Sequence, residues 1–293
     1  MNEQDWLTER FEANRTHLRA VAYRMLGSVS EADDAVQETW LRLSRSDVSE
    51  VENLRGWLTT VTARVCLNML RSRQVRREDP FDVHVPEPIV SREAGDPELE
   101  ALTADSVGLA LLIVLETLAP AERLAFVLHD MFAVPFEEIA PIVGRSATAA
   151  RQLASRARRR VQGAAVPDAD LHAQRQVVDA FLRAAREGDF QALLEVLDPD
   201  VVLRADRGDI PAGSSRVIRG ASSVAQQALM FATRARIARP ALVNGAAGIV
   251  VFDENARPFS LLGFIVARGR IIEIDILADR ARLTQLDLSV LDE

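Results

Sequence analysis

A basic helix that follows a glycine turn constrains this chain more than any other feature. Ser146 is a natural helix N-cap, because its hydroxyl accepts hydrogen bonds from the open amides of the first turn. The apolar residues after it recur at helical spacing and predict one buried face: Ala150, Leu153, Ala154, Ala157 and Val161. The opposite face is rich in arginine, and no acidic residue occurs between Glu138 and Asp168. The pattern predicts a helix with one packing face and one face suited to phosphates and base edges.

The residues before this helix extend the pattern. Apolar residues from Phe136 to Val143 predict a short helix, and Gly144 is typical of a C-terminal cap. A short helix, a glycine turn and a basic helix together indicate a helix-turn-helix, whose second helix enters the major groove of DNA. An ordinary surface helix with an arginine-rich solvent face is the alternative, since this pattern has false positives.

Charge along the chain is segregated. The net charge of −8 argues by itself against a nucleic-acid-binding protein. However, residues 53–77 and 139–163 each contain six arginines and no acid. These two basic islands predict two separate phosphate-contacting surfaces. The chain contains no lysine, which excludes lysine-based catalysis.

Length and cysteine content limit the class of protein. A chain of 293 residues suggests two or three domains. The single cysteine, Cys66, excludes an intramolecular disulfide and argues against a cysteine-rich metal site. The longest apolar stretch, near 107–115, is shorter than the roughly 20 residues of a membrane helix. The N-terminus lacks the basic start and apolar core of a secretory signal. We therefore expect a cytoplasmic protein with no membrane span, metal or cofactor.

Three further helices are predicted in the N-terminal half. Residues 1–28 form the first, and the second begins at Ser30, where Asp33 three residues later resembles a capping box. Its exposed side carries a leucine among acids, which is either an interaction surface or a solvated face. In the third, from Leu58 onward, Trp57 lies at the border of the polar face. Trp57 is either a stacking platform for an unpaired base or a core residue.

The sequence pattern changes after Pro167. Two helices are predicted in 170–198, and a third, 221–235, follows the first strand. Strand-like runs punctuated by glycines occupy 201–206, 249–253, 259–269 and 270–277. Helices followed by a curved antiparallel sheet predict a separate α+β domain.

Taken together, these pieces resemble an extracytoplasmic-function sigma factor of the sigma-70 family with a fused C-terminal SnoaL-like domain. The resemblance covers about residues 5–163 through three motifs in order: DDAVQETWLRL, LRGWLTTVTARVCLNMLRSR, and the stretch from LAPAERL to SRARRRV. It implies a multidomain protein, with two all-α domains followed by an α+β SnoaL-like cone. The implied boundaries are 1–79 for sigma region 2, 80–104 for a linker, 105–165 for the helix-turn-helix region 4, and 168–293 for the SnoaL-like domain.

The resemblance implies an alternative sigma factor that binds the RNA polymerase core and promoter DNA. The residues implied to bind the β′ clamp helices are Asp33, Asp34, Gln37, Glu38, Leu41 and Arg42. Those implied to read the −10 element are Arg55, Trp57, Thr60, Arg64, Asn68, Arg71 and Arg73. Those implied to read the −35 element are Arg145, Ser146, Thr148, Arg151, Gln152, Ser155, Arg156 and Arg159.

Base-edge chemistry divides the last helix into readers and anchors. Arg151 and Arg156 suit guanine, and Gln152 suits adenine. The arginines assigned to backbone phosphates are Arg158, Arg159 and Arg160.

The C-terminal domain is expected to modulate the sigma factor in cis. The linker segment implied to take part contains Pro86, Glu87 and Pro88. The alternatives are a sensor of a small apolar ligand and a weak hydrolase- or isomerase-like enzyme. After His172 the chain has no histidine, tyrosine, tryptophan, cysteine or lysine, so acid–base chemistry would depend on carboxylates. We therefore assign no catalytic residue and expect no enzyme. The candidate pocket or loop residues are Asp206, Asp209 and Asp275.

The chain departs from this family in the loop after the first strand. A glycine-rich acidic motif ending in lysine is typical there, whereas residues 204–209 contain one glycine and no lysine. An asparagine-proline motif near the C-terminus is also not evident.

Overall fold

The chain forms two compact units. The computed structural model describes residues 3–46, 51–76, 84–91, 109–162, 168–208, 215–232 and 237–291. One unit, here the helical unit, contains residues up to Pro80 and Leu111–Ala164. The other, here the sheet unit, contains Phe81–Leu99 and the chain from Ala165 onward. The linker residues that the structure describes thus belong to the sheet unit.

Short-range sequence signals account for the first helices. The helices among the first 76 residues are α1 Glu3–Leu26, α2 Val29–Leu43 and α3 Leu54–Arg76. The inward face predicted for α1 is buried, with Leu18, Val21 and Met25 fully covered. The predicted cap of α2 at Ser30 is wrong. Gly27, at φ +70°, ends α1, so Ser28 is already extended and accepts from the Glu31 amide at 3.3 Å.

The helix-turn-helix is present where the pattern predicts it. The remaining helices of this half are α4 Leu109–Glu116, α5 Pro120–Phe126, a π-helix Val127–Met131, α6 Phe136–Val143 and α7 Ala147–Val161. Pro120 occupies the first turn of α5, where its missing N–H costs nothing. Gly144 is left-handed at φ +69°, which lets α6 end, and α7 begins at Ala147 after the N-cap Ser146.

The two predicted helical domains pack together within the helical unit. The Phe132 ring meets His17 edge-on, with centroids 5.3 Å apart. The guanidinium of the buried Arg24 lies 5.0 Å from the same ring. Arg123 of α5 donates to the Arg24 carbonyl at 3.3 Å. Residues 3–76 and 120–161 therefore share one junction.

The sheet unit contains a mixed sheet, and α8, α9 and α10 pack on one of its faces. Its helices are α8 Leu171–Glu187, α9 Phe190–Val196, α10 Ala221–Ala232 and α11 Arg280–Leu283, with a 3₁₀ turn Ser289–Leu291. Its strands are β1 Val90–Ser91, β2 Leu197–Asp206, β3 Arg216–Arg219, β4 Ile237–Val243, β5 Ala246–Phe252, β6 Pro258–Ala267 and β7 Arg270–Leu277. The order is β1-β4-β5-β6-β7-β2-β3. The expectation of a wholly antiparallel sheet is wrong, because β2 and β7 pair in parallel.

The two faces of the sheet differ in chemistry. Leu203, Ala205 and Ile274 point into the apolar core beneath α8, α9 and α10. Because side chains alternate along a strand, Arg204, Asp206 and Asp275 lie on the opposite face. Arg204 and Asp275 are direct register partners, so they lie side by side there.

Candidate nucleic-acid interface and linker docking site

Helix α7 presents its polar face to solvent. Ser146 accepts from the Ala149 amide at 3.2 Å, as the cap pattern predicts. Ala150, Ala154 and Ala157 are fully buried, and α5 and α6 pack on that side. The residues predicted to read the −35 element are all exposed: Arg145, Ser146, Thr148, Arg151, Gln152, Ser155, Arg156 and Arg159.

The arginines of α7 have different surroundings. Arg158 pairs with Asp130 of the π-helix at 2.6 Å. Arg156 and Arg160 converge on Glu122 of α5, at 3.7 and 3.4 Å. The guanidinium of Arg151 lies 5.3 Å from the ring of Phe136. Three arginines of α7 thus pair with carboxylates of the protein itself. The spacing of residues along α7 could not show which arginines are paired in this way.

Helix α3 carries a second exposed polar stripe. Arg64, Asn68 and Arg71 are exposed at spacings of four and three, which places them on one helical face. Trp57 is half-buried against the core formed by α1, α2 and α3, and Thr60 is also half-buried. The structure therefore brings the centre of the predicted −10 set together and leaves Trp57 at its border.

Two arginines of the predicted −10 set make internal contacts. Arg73 donates to the Leu26 carbonyl at 3.0 Å and pairs with Glu31, so it joins α3 to the end of α1. The guanidinium of Arg55 lies 3.1 Å from Nδ1 of His17. Burial, followed by the charges of Arg55 and Arg24, lowers the pKa of His17 to about 4. The imidazole is therefore neutral near pH 7, and its Nδ1 can accept from Arg55.

Helix α2 has an exposed stripe beside this surface. Asp34, Gln37 and Leu41 are exposed, and 40% of the Leu41 side chain remains accessible. Glu38 and Arg42 form an ion pair at 2.8 Å within the stripe, whereas Asp33 pairs with Arg19 of α1 at 2.7 Å. A groove of about 670 Å³ separates this stripe from α3. The residues predicted to bind polymerase thus share one helix face, with Asp33 at its edge.

The linker segment is bound at its first end by a buried charge cluster. Asp206 accepts from the Val85 amide at 2.9 Å and from Arg282 of α11 at 2.6 Å. Arg282 also donates to the Val85 carbonyl. Val85, Pro86 and the side chain of Asp206 are buried. One arginine and one carboxylate therefore hold both polar groups of the Val85 backbone.

The segment is bound at its other end by the turn between β4 and β5. Asn244 accepts from the Ile89 amide at 3.0 Å through its side chain, and its own amide donates to the Ile89 carbonyl at 2.9 Å. Val90 and Ser91 then pair with β4 as β1. Pro88 is buried and Glu87 is half-buried between these anchors. Sequence reasoning named Pro86, Glu87 and Pro88 but missed Arg282 and Asn244, which hold the segment.

The three aspartates predicted to form a pocket or loop are not equivalent. Asp206 serves the linker, and Asp209 lies outside the described residues. Asp275 is buried beside Arg204 at 3.2 Å, and Arg204 also pairs with Glu273. Burial raises the pKa of Asp275 to about 7, although Arg204 opposes the shift. Asp206 and Asp275 both lie on the face opposite the helix-covered core, so that core does not enclose them.

Clustered metal ligands and membrane-spanning helices are both absent from the described residues. Within them, no cluster of three or more histidine, cysteine, aspartate or glutamate side chains could hold a metal ion. Among the helices that the structure describes, none combines the length and apolar character needed to cross a membrane.

Comparisons with known proteins agree with this arrangement. Residues 10–76 match the family model Sigma-70 region 2, and residues 109–161 match Sigma-70, region 4. The chain is 37% identical to a probable ECF RNA polymerase sigma factor, SigI, of Mycobacterium tuberculosis, over 98% of each chain. This chain belongs to the extracytoplasmic-function sigma factors.

The similarity includes the sheet unit of this sigma factor. The chain is 43% identical to the ECF RNA polymerase sigma factor SigJ of Mycobacterium tuberculosis, over 73% of this chain and 69% of SigJ. The crystal structure of SigJ superposes with a TM-score of 0.78 at 35% identity, covering 96% of this chain and 99% of that one. The expected order of helical sigma regions followed by an α+β SnoaL-like domain is confirmed.

Proposed function

We propose that this sigma factor recruits the RNA polymerase core in the cytoplasm to promoters, with α7 at the −35 element and α3 at the −10 element. The observation that carries the proposal is the solvent-facing polar side of α7, directly after a glycine turn. Arg151 and Gln152 are suited to guanine and adenine edges in the major groove. Arg145 and Arg159 are exposed on either side of them along the chain and are suited to backbone phosphates.

The −10 surface is centred on Arg64, Asn68 and Arg71. Their exposed stripe combines two cations with an amide, which suits a single strand whose bases have been unstacked. Arg73 is better placed to hold α3 against α1 than to contact DNA, since Glu31 and the Leu26 carbonyl engage it. Trp57 borders the stripe and can offer one ring face to a base.

The exposed stripe of α2 is proposed to bind the β′ clamp helices. Leu41 supplies an exposed apolar contact, and Asp34 and Gln37 supply polar contacts beside it. A partly exposed leucine ringed by polar groups is typical of a protein interface rather than a solvated face.

The sheet unit is proposed to restrain the sigma regions in cis. Arg282 and Asp206 hold one end of segment 84–91, and Asn244 holds the other. The segment is covalently joined to both sigma regions, through the seven residues 77–83 on one side and the seventeen residues 92–108 on the other. Docking therefore tethers the sheet unit to both promoter-binding regions through the segment, at high effective concentration.

The geometry of a promoter explains why the two sigma regions have to separate. Positions −35 and −10 are separated by about 25 base pairs, which is about 85 Å of B-DNA. A compact body of this size class, about 140 residues, has a radius of gyration of only about 14 Å. The junction of Phe132 with His17 and Arg24 therefore has to open before α3 and α7 reach both elements. Polymerase binding is proposed to supply that opening.

Transcription in vitro tests the proposal. The full chain is combined with purified bacterial core polymerase on a library of randomised promoters, and the transcribed templates are sequenced. We expect starts at a fixed distance downstream of two shared elements. The variant Arg151→Ala should reduce initiation and relax selection in the upstream element only. The matched control Arg186→Ala, on an exposed position of α8, should leave both unchanged. Initiation without shared elements would contradict the proposal.

A further inference from the structure

Glu122 stands out as an acidic residue beneath a basic DNA-binding helix. It lies in the first turn of α5, and only 9% of its side chain is exposed. Its two carboxylate oxygens face different arginines of α7, Arg156 at 3.7 Å and Arg160 at 3.4 Å. Arg160 also donates to the Thr117 carbonyl at 3.3 Å. Glu122 therefore joins α7 to α5, and Arg160 also joins α7 to the residue that follows α4.

Because the Glu122 carboxylate is buried, the departure of its arginine partners would be unfavourable. A charge that loses its partners inside a protein costs much more free energy than an exposed pair gains. If both arginines moved to DNA phosphates, Glu122 would be left nearly covered and unpaired. The side chains of Arg156 and Arg160 are more than half exposed, at 53% and 55%, so DNA could otherwise reach them.

We propose that Glu122 is a positioning residue for promoter selectivity, because it withholds Arg156 and Arg160 from the DNA backbone. Withholding two cations lowers the sequence-independent part of binding, which comes from phosphate neutralisation. Recognition then depends more on Arg151 and Gln152, whose contacts differ between bases. Arg156 is accordingly a support of α7 rather than a guanine reader.

The inference rests on the proposal that α7 reads the −35 element. Different experimental results would contradict the inference about Glu122 and the proposal about α7. If α7 does not read DNA, Arg151→Ala leaves binding to a promoter duplex unchanged. If α7 reads DNA but Glu122 plays no part in selectivity, Arg151→Ala weakens binding, whereas Glu122→Gln behaves like any other loss of one negative charge.

The test compares DNA binding by holoenzymes that contain the full chain or its variants. The probes are a duplex with the selected −35 element and a duplex of the same composition with that element scrambled. Dissociation constants are measured over a range of salt concentrations. The control Glu137→Gln removes the same charge at an exposed position on α6. It corrects for the general loss of repulsion between the protein and DNA.

For Glu122→Gln we expect about tenfold tighter binding to the scrambled duplex at low salt. The slope of log K against log salt should steepen by up to about 1.8, since each freed arginine adds about 0.9. The ratio of selected to scrambled affinity should fall. Adding Arg156→Ala and Arg160→Ala to Glu122→Gln should return the slope to that of the unchanged chain.

Two outcomes would overturn the proposal. One is a salt slope for Glu122→Gln equal to that for Glu137→Gln. The other is an equal loss of affinity for both duplexes, which would assign Glu122 a purely structural role. Thermal unfolding of each variant identifies a loss of fold, and Glu122→Asp, which keeps the charge, should restore selectivity in part.

Discussion

Arg282 offers the sharpest test of how the linker is held. The change Arg282→Met keeps much of the side-chain length and removes the charge. It removes the hydrogen bond to the Val85 carbonyl and one of the donors to Asp206, whereas the hydrogen bond from the Val85 amide to Asp206 remains. A hydrogen bond to a charged group contributes about 1.5–3 kcal/mol. We therefore expect the opening equilibrium of segment 84–91 to rise by about 10- to 150-fold, at 1.4 kcal/mol per factor of ten.

Hydrogen–deuterium exchange on the full chain measures this change. The peptide that covers residues 84–91 should exchange faster in Arg282→Met, with the amides of Val85 and Ile89 most affected. Peptides from the β5–β6 pair should be unchanged, because the sheet remains paired there. The control Arg280→Met removes an exposed arginine from the same short helix and should have no effect. Unchanged exchange of 84–91 in a folded Arg282→Met protein would refute the reasoning.

Three further predictions concern pH and the helix-turn-helix. Asp275 holds its proton up to about pH 7 in the folded chain but only to about pH 4 when unfolded, so its contribution to stability is lost as pH rises between those values. Asp275→Asn should therefore flatten the change of the free energy of urea unfolding with pH between about 4 and 7. The same change with pH in the variant and the unchanged chain would contradict this. His17 has a folded pKa of about 4, so its contribution is present above pH 6.5 and lost as pH falls toward 4. Thermal unfolding of His17→Gln should therefore be less sensitive to acid than that of the unchanged chain, and equal sensitivity would count against the buried neutral imidazole. Gly144→Ala should lower the free energy of unfolding in urea by about 1–2 kcal/mol, because a residue with a Cβ is strained at φ +69°. No atom lies within 4 Å of the added Cβ, so a steric clash adds nothing to this cost. An unchanged free energy of unfolding would show that the turn tolerates a side chain.

Local chemistry made the helix-turn-helix predictable. The caps at Gly144 and Ser146 and the alanine seam of α7 depend on residues a few positions apart. The predicted cap of α2 failed for an equally local reason, since Gly27 ends α1 and leaves Ser28, rather than Ser30, in the cap position. Both cases involve backbone groups whose partners lie within one helical turn.

Long-range pairing was beyond sequence reasoning. Arg282 meets the linker 197 residues away, and Asn244 meets it 155 residues away. The pair Asn244-Gly245 signals a turn in the sequence, but not which segment would dock on it. The strand β4 was not among the predicted strands, and it contains Pro240, a residue that is unfavourable in a central strand. Among the described residues, β1 pairs only with Leu242 and Val243, so no described strand requires an N–H from Pro240 on that side.

The same limit applies to the function of individual side chains. The spacing along α7 showed which arginines share a face, but the carboxylates that engage three of them come from α5 and the π-helix. Asp206 could be read from sequence only as a strand-end acid. Its role follows from the approach of Val85 and Arg282, which only the folded chain reveals.

A reversible disulfide across β1 and β4 tests the central claim most directly. Val90 and Val243 are antiparallel register partners, and Cα atoms in such a pair lie about 4.5–5.5 Å apart, within the range that a disulfide spans. Cys66 does not compete, because burial raises its pKa to about 12 and keeps it a thiol. In the full chain with Val90→Cys and Val243→Cys, promoter-specific transcription is measured before and after reduction. Restraint in cis predicts slow initiation when oxidised and recovery to the rate of the unchanged chain when reduced. Equal rates in the two states would contradict release of the linker as a step in initiation.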